Sequence, residues 1–375
     1  MKSINLLIKP ASSLCNLRCR YCFYEDEAKN RAQFSMGRME EETANTLIRQ
    51  VFAAIDPNGT VSFSFQGGEP TMAGLPFFRS FVSAVAACRP AGVRVFYAIQ
   101  TNGMLLDEQW ARFFRDNRFL VGLSIDGIRA VHDSLRIDAD GQGTWKGVLA
   151  ARALLERSSV PCNALCVVTA SCAEQPEAVY RSLKNLGFRY QQFIACLDPM
   201  GKPRGGETWS LTPERYGAFL CRLFDLWYRD WKTGNYHSIR LFDDYIHILL
   251  GEPASTCTTC GSCGAYLLVE GDGTVYPCDF YALDRWEIGS LRQETIPQLL
   301  GSGKMRQFLD QGSVRPESCK VCPYWRICRG GCKNDWVTDE AGTRNYYCKS
   351  FRALLDHAMP RMLEIARAER MARKR

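Results

Sequence analysis

Cys15, Cys19 and Cys22 fall within eight residues, in the run Cys15-Asn-Leu-Arg-Cys19-Arg-Tyr-Cys22, shortly after the apolar stretch Leu6-Leu7-Ile8. Three thiolates on one short loop hold three irons of a four-iron cubane and leave the fourth iron open to a ligand that is not protein. Full ligation suits a cluster to electron carrying; an open iron admits substrate chemistry. Two plainer readings compete. A redox dithiol at Cys19-x-x-Cys22 normally caps a helix in a thioredoxin-like domain, and this chain does not start that way. Zinc needs a fourth ligand, and His132, His237, His247 and His357 lie far off in sequence.

The surroundings of the loop follow from hydrophobic patterning. Short apolar runs at 5–9, 60–66, 93–101, 119–125, 162–168 and 190–195 predict strands. Amphipathic stretches between and after them, at 40–54, 75–87, 107–115, 144–157, 177–186 and 213–231, predict helices. Six strand–helix pairs in order imply a parallel sheet with right-handed crossovers, α/β in class. Six units fit a partial (β/α)6 barrel of the TIM type better than a closed barrel of eight. Such barrels carry their chemistry at the C-terminal ends of the strands, where the cysteine loop falls.

Near residue 250 the alternation stops and cysteines crowd in. The segments 266–270 and 274–276, around Gly271-Asp272-Gly273, predict a β-hairpin. A helical pattern returns at 352–370, with a break or kink expected at Pro360. The boundary lies at about 235–255, giving a barrel over 1–240 and a small cysteine-rich domain with a hairpin and helices over 241–375.

Composition bounds the class. A hydrophobic share of 46% with 23% charged residues is that of a soluble globular chain. No apolar run reaches a membrane span, and no secretory signal is visible, so a cytoplasmic protein is expected. Eighteen cysteines in such a chain favour metal clusters over disulfides. The net charge of +7 includes the tail residues Arg370, Arg373, Lys374 and Arg375, which reads as a solvated helix end and not as a nucleic-acid site. No nucleic-acid or membrane partner is expected. The cysteines at 88, 162, 166, 172, 196 and 221 sit in apolar or helical contexts and read as buried small hydrophobes.

The C-x3-C-x2-C spacing with Tyr21 before the last cysteine resembles the radical S-adenosylmethionine (SAM) superfamily. There the open iron chelates the methionine end of SAM, and the cofactor carries the radical chemistry. Gln66-Gly67-Gly68-Glu69-Pro70 closes the second strand, and a Gly-Gly-Glu-Pro at this place in the superfamily holds the amino group of SAM. Ser124 and Asp126, and Thr101-Asn102-Gly103, end strands four and three; similar positions in the family face ribose and methionine carboxylate, Ser124 being the best of them. Arg136 would pair with that carboxylate, or stand as a surface residue after a loop. Tyr21 and Leu197 complete the SAM-binding set that the resemblance implies.

The nine C-terminal cysteines resemble the SPASM domain, an extension of radical SAM enzymes that modify peptides. The family pattern gives auxiliary cluster I Cys257, Cys263, Cys278 and Cys332. It gives auxiliary cluster II Cys319, Cys322, Cys328 and Cys348, so that three [4Fe-4S] clusters are implied in all. Cys257-x2-Cys260-x2-Cys263 offers three thiols for two places, and the family spacing leaves Cys260 spare.

Longer segments narrow the resemblance. Leu-Leu-Ile-Lys-Pro-Ala-Ser-Ser at 6–13, Cys-Phe-Tyr at 22–24, Gln-Phe-Ile-Ala-Cys-Leu-Asp-Pro at 192–199, Val-Tyr-Pro-Cys-Asp-Phe-Tyr at 275–281 and Asn345-Tyr-Tyr-Cys348 are similar to the anaerobic sulfatase-maturating enzymes. These convert a Cys or Ser of an unfolded or nascent sulfatase to Cα-formylglycine. The resemblance implies that a 5′-deoxyadenosyl radical from SAM takes a Cβ hydrogen, that Asp279 removes the thiol or hydroxyl proton, and that an auxiliary cluster accepts the electron. Tyr24 and Gln66 match the positions nearest the target, and a flavodoxin- or ferredoxin-type donor is implied. From the residues alone, Asp279 is equally a hydrogen-bond partner to the neighbouring cluster ligand. The rival enzyme is another SPASM-type peptide modifier that forms a thioether or crosslink. Such enzymes often carry an N-terminal peptide-recognition domain, for which Cys15 comes too early.

Overall fold

The computed structural model describes residues 1–340 and 342–373. Strands follow in chain order: β1 Ser3–Ile8, β2 Thr60–Phe65, β3 Arg94–Thr101, β4 Phe119–Ser124, β5 Cys162–Val168, β6 Tyr190–Ala195, β7 Ser238–Ile239, β8 Leu267–Val269, β9 Thr274–Tyr276, β10 Gly289–Ser290, β11 Trp336–Asp339 and β12 Gly342–Asn345. The six sequence-predicted strands correspond to β1–β6, and the six predicted helices stand where expected within a residue or so at each end.

The chain divides into two compact units that interleave along the sequence. One comprises Met1–Ile125, His132–Asn163 and Tyr266–Phe308; the other comprises Asp126–Val131, Ala164–Ala265 and Leu309–Arg375. The segment 241–375 therefore contributes to both.

In the first unit β1 to β4 run parallel in order, and the hairpin β8–β9 joins through a parallel pairing of β8 with β1. Alternation explains the faces. Val61, Phe63 and Phe65 of β2 are fully buried, and both phenylalanines meet Phe81 edge-on, at 5.2 and 5.1 Å. Phe81 belongs to the helix Leu75–Cys88. Ser62 and Ser64 point to the other face, and one step beyond them so does Gln66. Register does the same across strands. Ile8 pairs with both Phe65 and Val269, so Lys9, Gln66 and Glu270 fall side by side just past the C-terminal ends of β1, β2 and β8.

In the second unit β5, β6 and β7 pair in parallel. The helix Pro213–Lys232 starts at Thr212, whose hydroxyl caps the Arg215 N–H. It packs on the helix Cys348–Ala372 through Gly217, where an added Cβ would come 3.2 Å from Ser350 Cα. His357 and Arg361 of the second helix meet Asp225 of the first at 2.7 and 2.8 Å.

Two expectations are corrected here. The C-terminal helix begins at Cys348, ahead of the expected run at 352–370, and of the break or kink expected at Pro360 there is no break, since the helix continues through it. Packing of its apolar face, with Leu354, Leu355, Ala358, Met362 and Ile365 buried, outweighs the single backbone bond that proline removes. Cys88 is exposed at the end of its helix, while Cys166, Cys172 and Cys196 are buried as expected. Among the described residues no helix is long and apolar enough to cross a membrane.

Candidate active site

The cysteine loop follows β1 and is braced on two sides. Arg18 and Arg20 N–H groups donate to the carbonyls of Ile137 and Leu135, at 2.7 and 2.9 Å, and Leu17 bridges to Asp138. The Glu69 N–H donates to the Leu14 carbonyl at 2.8 Å. That second brace explains Gly68: its φ is +49°, and an added Cβ would lie 2.4 Å from the Leu14 carbonyl oxygen. Gly67 plays the same part against Lys9, whose Cγ would be 2.4 Å from an added Cβ.

Glu69 is buried and fully engaged. Its carboxylate accepts from the Thr71 N–H and hydroxyl, the Thr101 hydroxyl and the Asn102 N–H, at 2.6 to 3.1 Å. It ties the end of β2 to the end of β3. Asn102 in turn donates through Nδ2 to Asn16 Oδ1 at 2.8 Å, with Cys15 Sγ 3.9 Å away. Arg136 is buried, so its surface alternative is set aside; it lies over the Tyr21 ring at 5.4 Å. Ser124 is half-buried at the end of β4. Asp126 is buried in the other unit, where it accepts the Val167 N–H. Leu197 is half-buried just past β6, in a turn pinned by the Tyr347 hydroxyl, which donates to the Cys196 carbonyl at 2.9 Å.

The thiols of the loop fit a cluster. All three are free. Burial pushes Cys15 up to about 11 and raises Cys22, and a bound metal ion would offset that rise. The Leu17 N–H, 3.4 Å from Cys15 Sγ, is the kind of donor a ligand sulfur uses. Among the described residues no three His, Cys, Asp or Glu converge as on a single ion; cubane thiolates each hold a different iron.

Beside the loop stands a second cluster of side chains. Asp279 opens a short 3-10 turn after Cys278 and is buried. Tyr24, on the helix Phe23–Lys29, donates its hydroxyl to Asp279 Oδ2 at 3.3 Å. Gln66 Nε2 donates to the Tyr24 hydroxyl and reaches Asp279 Oδ2 at 3.4 Å. The Tyr266 hydroxyl donates to Asp279 Oδ1 and lies 3.5 Å from Cys278 Sγ. Burial, then the Asp279 carboxylate, holds both tyrosine hydroxyls far above their ordinary range. Of these four side chains only Asp279 carries a carboxylate, the type of group that serves as a general base. Tyr266 was missed from sequence, although hairpin register signals it: Leu268 pairs with Tyr276, which sets 266 opposite 278.

A buried charge group lies against these residues and was also missed. Lys9 Nζ is 2.6 Å from Glu27 and 3.4 Å from Glu270, and Arg31 is 2.5 Å from Glu270. Burial pushes Glu27 up to about 7, while Lys9 opposes the rise.

In the second unit the remaining thiols form two sets. Cys257, Cys263 and Cys332 line one small cavity with Gly261, Gly312 and Gly331. There is no room for a side chain at Gly312, where a Cβ would lie 2.5 Å from Cys263 Sγ. Burial raises Cys332 well above its ordinary value, and Cys257 and Cys263 add to the rise. Cys328 is pushed up to about 12 by burial, with Cys348, Cys319 and Cys322 as neighbouring thiols. Cys260 turns away and donates to the Ala254 carbonyl at 3.3 Å. Cys278 belongs to the first unit, beside Asp279.

Comparison with known proteins bears on this arrangement. Residues 10–170 match the radical SAM superfamily, and residues 252–323 match SPASM, an iron-sulfur cluster-binding domain. The chain is 40% identical to a cysteine-type anaerobic sulfatase-maturating enzyme of Clostridium novyi (strain NT), over 98% of each chain. It is 31% identical to a serine-type enzyme of Klebsiella aerogenes, over 88% of this chain and 79% of that one. A solved structure described as native anSMEcpe with bound AdoMet and Kp18Cys peptide superposes with a TM-score of 0.92 at 40% identity, covering 98% and 99% of the two chains. The fold is the α/β partial barrel of a radical SAM enzyme, with a SPASM region later in the chain. Within that class, the chain belongs to the anaerobic sulfatase-maturating enzymes.

Proposed function

We propose that this enzyme oxidises a cysteine of an unfolded sulfatase polypeptide to Cα-formylglycine, with Asp279 as the acceptor of the thiol proton. The observation that carries it is the convergence of Tyr24, Gln66 and Tyr266 on the Asp279 carboxylate beside the cysteine loop. Cysteine is favoured as the target because the cysteine-type relative matches over more of the chain and at higher identity than the serine-type one.

Cys15, Cys19 and Cys22 would hold the first [4Fe-4S] cluster, with Gly67, Gly68, Glu69, Tyr21, Ser124, Arg136 and Leu197 around SAM. Cys257, Cys263, Cys278 and Cys332 would hold one auxiliary cluster, and Cys319, Cys322, Cys328 and Cys348 the other. When bound, these groups supply a radical that takes the Cβ hydrogen and an exit for the electron left behind. Functionally, 1–240 carries the radical chemistry and 241–375 the auxiliary clusters. A flavodoxin- or ferredoxin-type protein is the proposed electron donor.

The chain's own residues do the rest. Glu69 fixes the 66–69 segment by its four hydrogen bonds, which keeps Gln66 and the glycines in place. Tyr24 and Gln66 hold Asp279 Oδ2 on the side the target thiol approaches. Asp279 Oδ2 takes the thiol proton, while Tyr266 keeps Oδ1 occupied and the carboxylate oriented. Burial of the Asp279 carboxylate keeps water from competing for the proton.

The test is an anaerobic reaction with SAM, dithionite and sulfatase-derived peptides carrying Cys or Ser, read by mass spectrometry. Formylglycine at the Cys position, faster than at Ser, is expected. A thioether or crosslink mass in its place would favour the rival peptide-modifying reading, and faster Ser conversion would reverse the target assignment.

A further inference from the structure

We propose that Lys9 is a positioning residue for the Tyr24–Asp279 pair, acting through Glu27. This rests on the reading of Asp279 as proton acceptor. Lys9 is 2% exposed and lies one step beyond β1, before the cysteine loop begins. Its ammonium touches three things: Glu27 Oε2 at 2.6 Å, Glu270 Oε1 at 3.4 Å, and the Tyr24 ring, whose centroid is 5.2 Å away.

The contacts form a clamp. Tyr24 and Glu27 are three residues apart on the helix Phe23–Lys29 and share a face. Glu27 Oε2 takes the lysine, and its Oε1 accepts the N–H of Ala282 at 3.0 Å. Ala282 ends the short turn that Asp279 begins. One carboxylate therefore joins the end of β1, the helix bearing Tyr24 and the turn bearing Asp279. The lysine stem passes under Gly67, beside Gln66, where no Cβ fits. Glu270, the next position of β8, is shared with Arg31, which leaves two cations facing two carboxylates.

Stability alone does not account for this group. A buried ion pair gains little net free energy over apolar side chains of the same volume. Burial alone would lower Lys9, but Glu270 and Glu27 outweigh it and hold the ammonium charged. A charged ammonium fixes the Tyr24 ring and Glu27 together, which an apolar side chain does not. The alignment of the Tyr24 hydroxyl with Asp279 Oδ2 is then set from below.

The experiment compares Lys9→Met, Glu27→Gln and the double variant Lys9→Met/Glu27→Leu with wild type and with Asp279→Asn. Iron content, thermal melting, and formylglycine formed per 5′-deoxyadenosine are read from the same preparations. The double variant leaves Glu270 paired with Arg31 and buries no lone charge, so it folds and loads iron even where Lys9→Met does not. It is expected to cleave SAM at the wild-type rate, keep its peptide KM, and lose about tenfold in product per 5′-deoxyadenosine, the scale of a misplaced reacting group. Glu27→Gln, which keeps the acceptor for Ala282, is expected to fall in between. Its crystal structure, and that of the double variant, should show Tyr24 displaced from Asp279. A double variant that couples as tightly as wild type, or that keeps Tyr24 on Asp279, overturns the proposal. A double variant that fails to fold also overturns it, because the pair is then structural. Asp279→Asn reports separately: aldehyde formed by that variant at the wild-type rate removes the acceptor reading itself.

Discussion

Tyr24 and Asp279 are 255 residues apart in the chain, and the tyrosine hydroxyl donates to the carboxylate at 3.3 Å. The contact joins the helix that follows the cysteine loop to the turn that follows Cys278. The hairpin β8–β9 docks on β1, and that pairing brings residue 279 to the end of the first strand. The proposed acceptor thus lies beside Cys278 and bonds to the helix that follows the cysteine loop.

The ligand assignment predicts iron counts. Anaerobically reconstituted enzyme should hold about 12 iron atoms per chain, in three four-iron clusters. Replacing Cys15, Cys19 and Cys22 together by Ala should abolish SAM cleavage and leave roughly two-thirds of the iron. Iron near four per chain in wild type, with zinc present, would contradict the auxiliary sets.

Cys260 and Cys257 should separate cleanly. Cys260 donates to the Ala254 carbonyl, whereas Cys257 lines a cavity with Cys263 and Cys332. Cys260→Ala should keep full iron and activity. Cys257→Ala should lose about a third of the iron, the share of one cluster in three. Reversed losses in the two variants would move the ligand to Cys260.

Gly68→Ala should damage both fold and activity. The new methyl group would meet the Leu14 and Ser12 carbonyl oxygens at 2.4 and 2.7 Å, on a backbone with φ +49°. Backbone strain and the clash should cost roughly 1–3 kcal/mol of stability. The displaced 66–69 segment should also impair SAM cleavage. Differential scanning calorimetry and 5′-deoxyadenosine release check this; a variant unchanged in both would show that the close approach is dispensable.

Much of the barrel was legible because its signal is local. β1–β6 and their helices follow from alternation and amphipathic period, and the hairpin from Gly271-Asp272-Gly273. The docking of that hairpin on β1 was not legible. Parallel pairing between residues 6–8 and 267–269 leaves no local mark. For the same reason Glu270 reads in sequence as the last residue of a hairpin strand, and Lys9 as a charged residue after an apolar run, yet they form a buried ion pair. Charged residues are rarely buried unless paired, and the pairing is visible only in register. Asp279, Tyr24 and Gln66 follow from family resemblance and Tyr266 from the hairpin register, whereas Glu27 and Arg31 carry no local signal. The C-terminal helix hid its first turn at Cys348 because a cysteine and polar residues precede the apolar stripe.

The most direct test of the account is a paired count of 5′-deoxyadenosine and formylglycine in one anaerobic reaction of Asp279→Asn. Asparagine keeps the shape of the side chain and cannot accept the thiol proton. The account predicts SAM cleavage close to wild type, with formylglycine lowered about a hundredfold or more, the scale of a lost general base. Both products at wild-type rates would contradict it, and would leave Asp279 as a hydrogen-bond partner of Cys278.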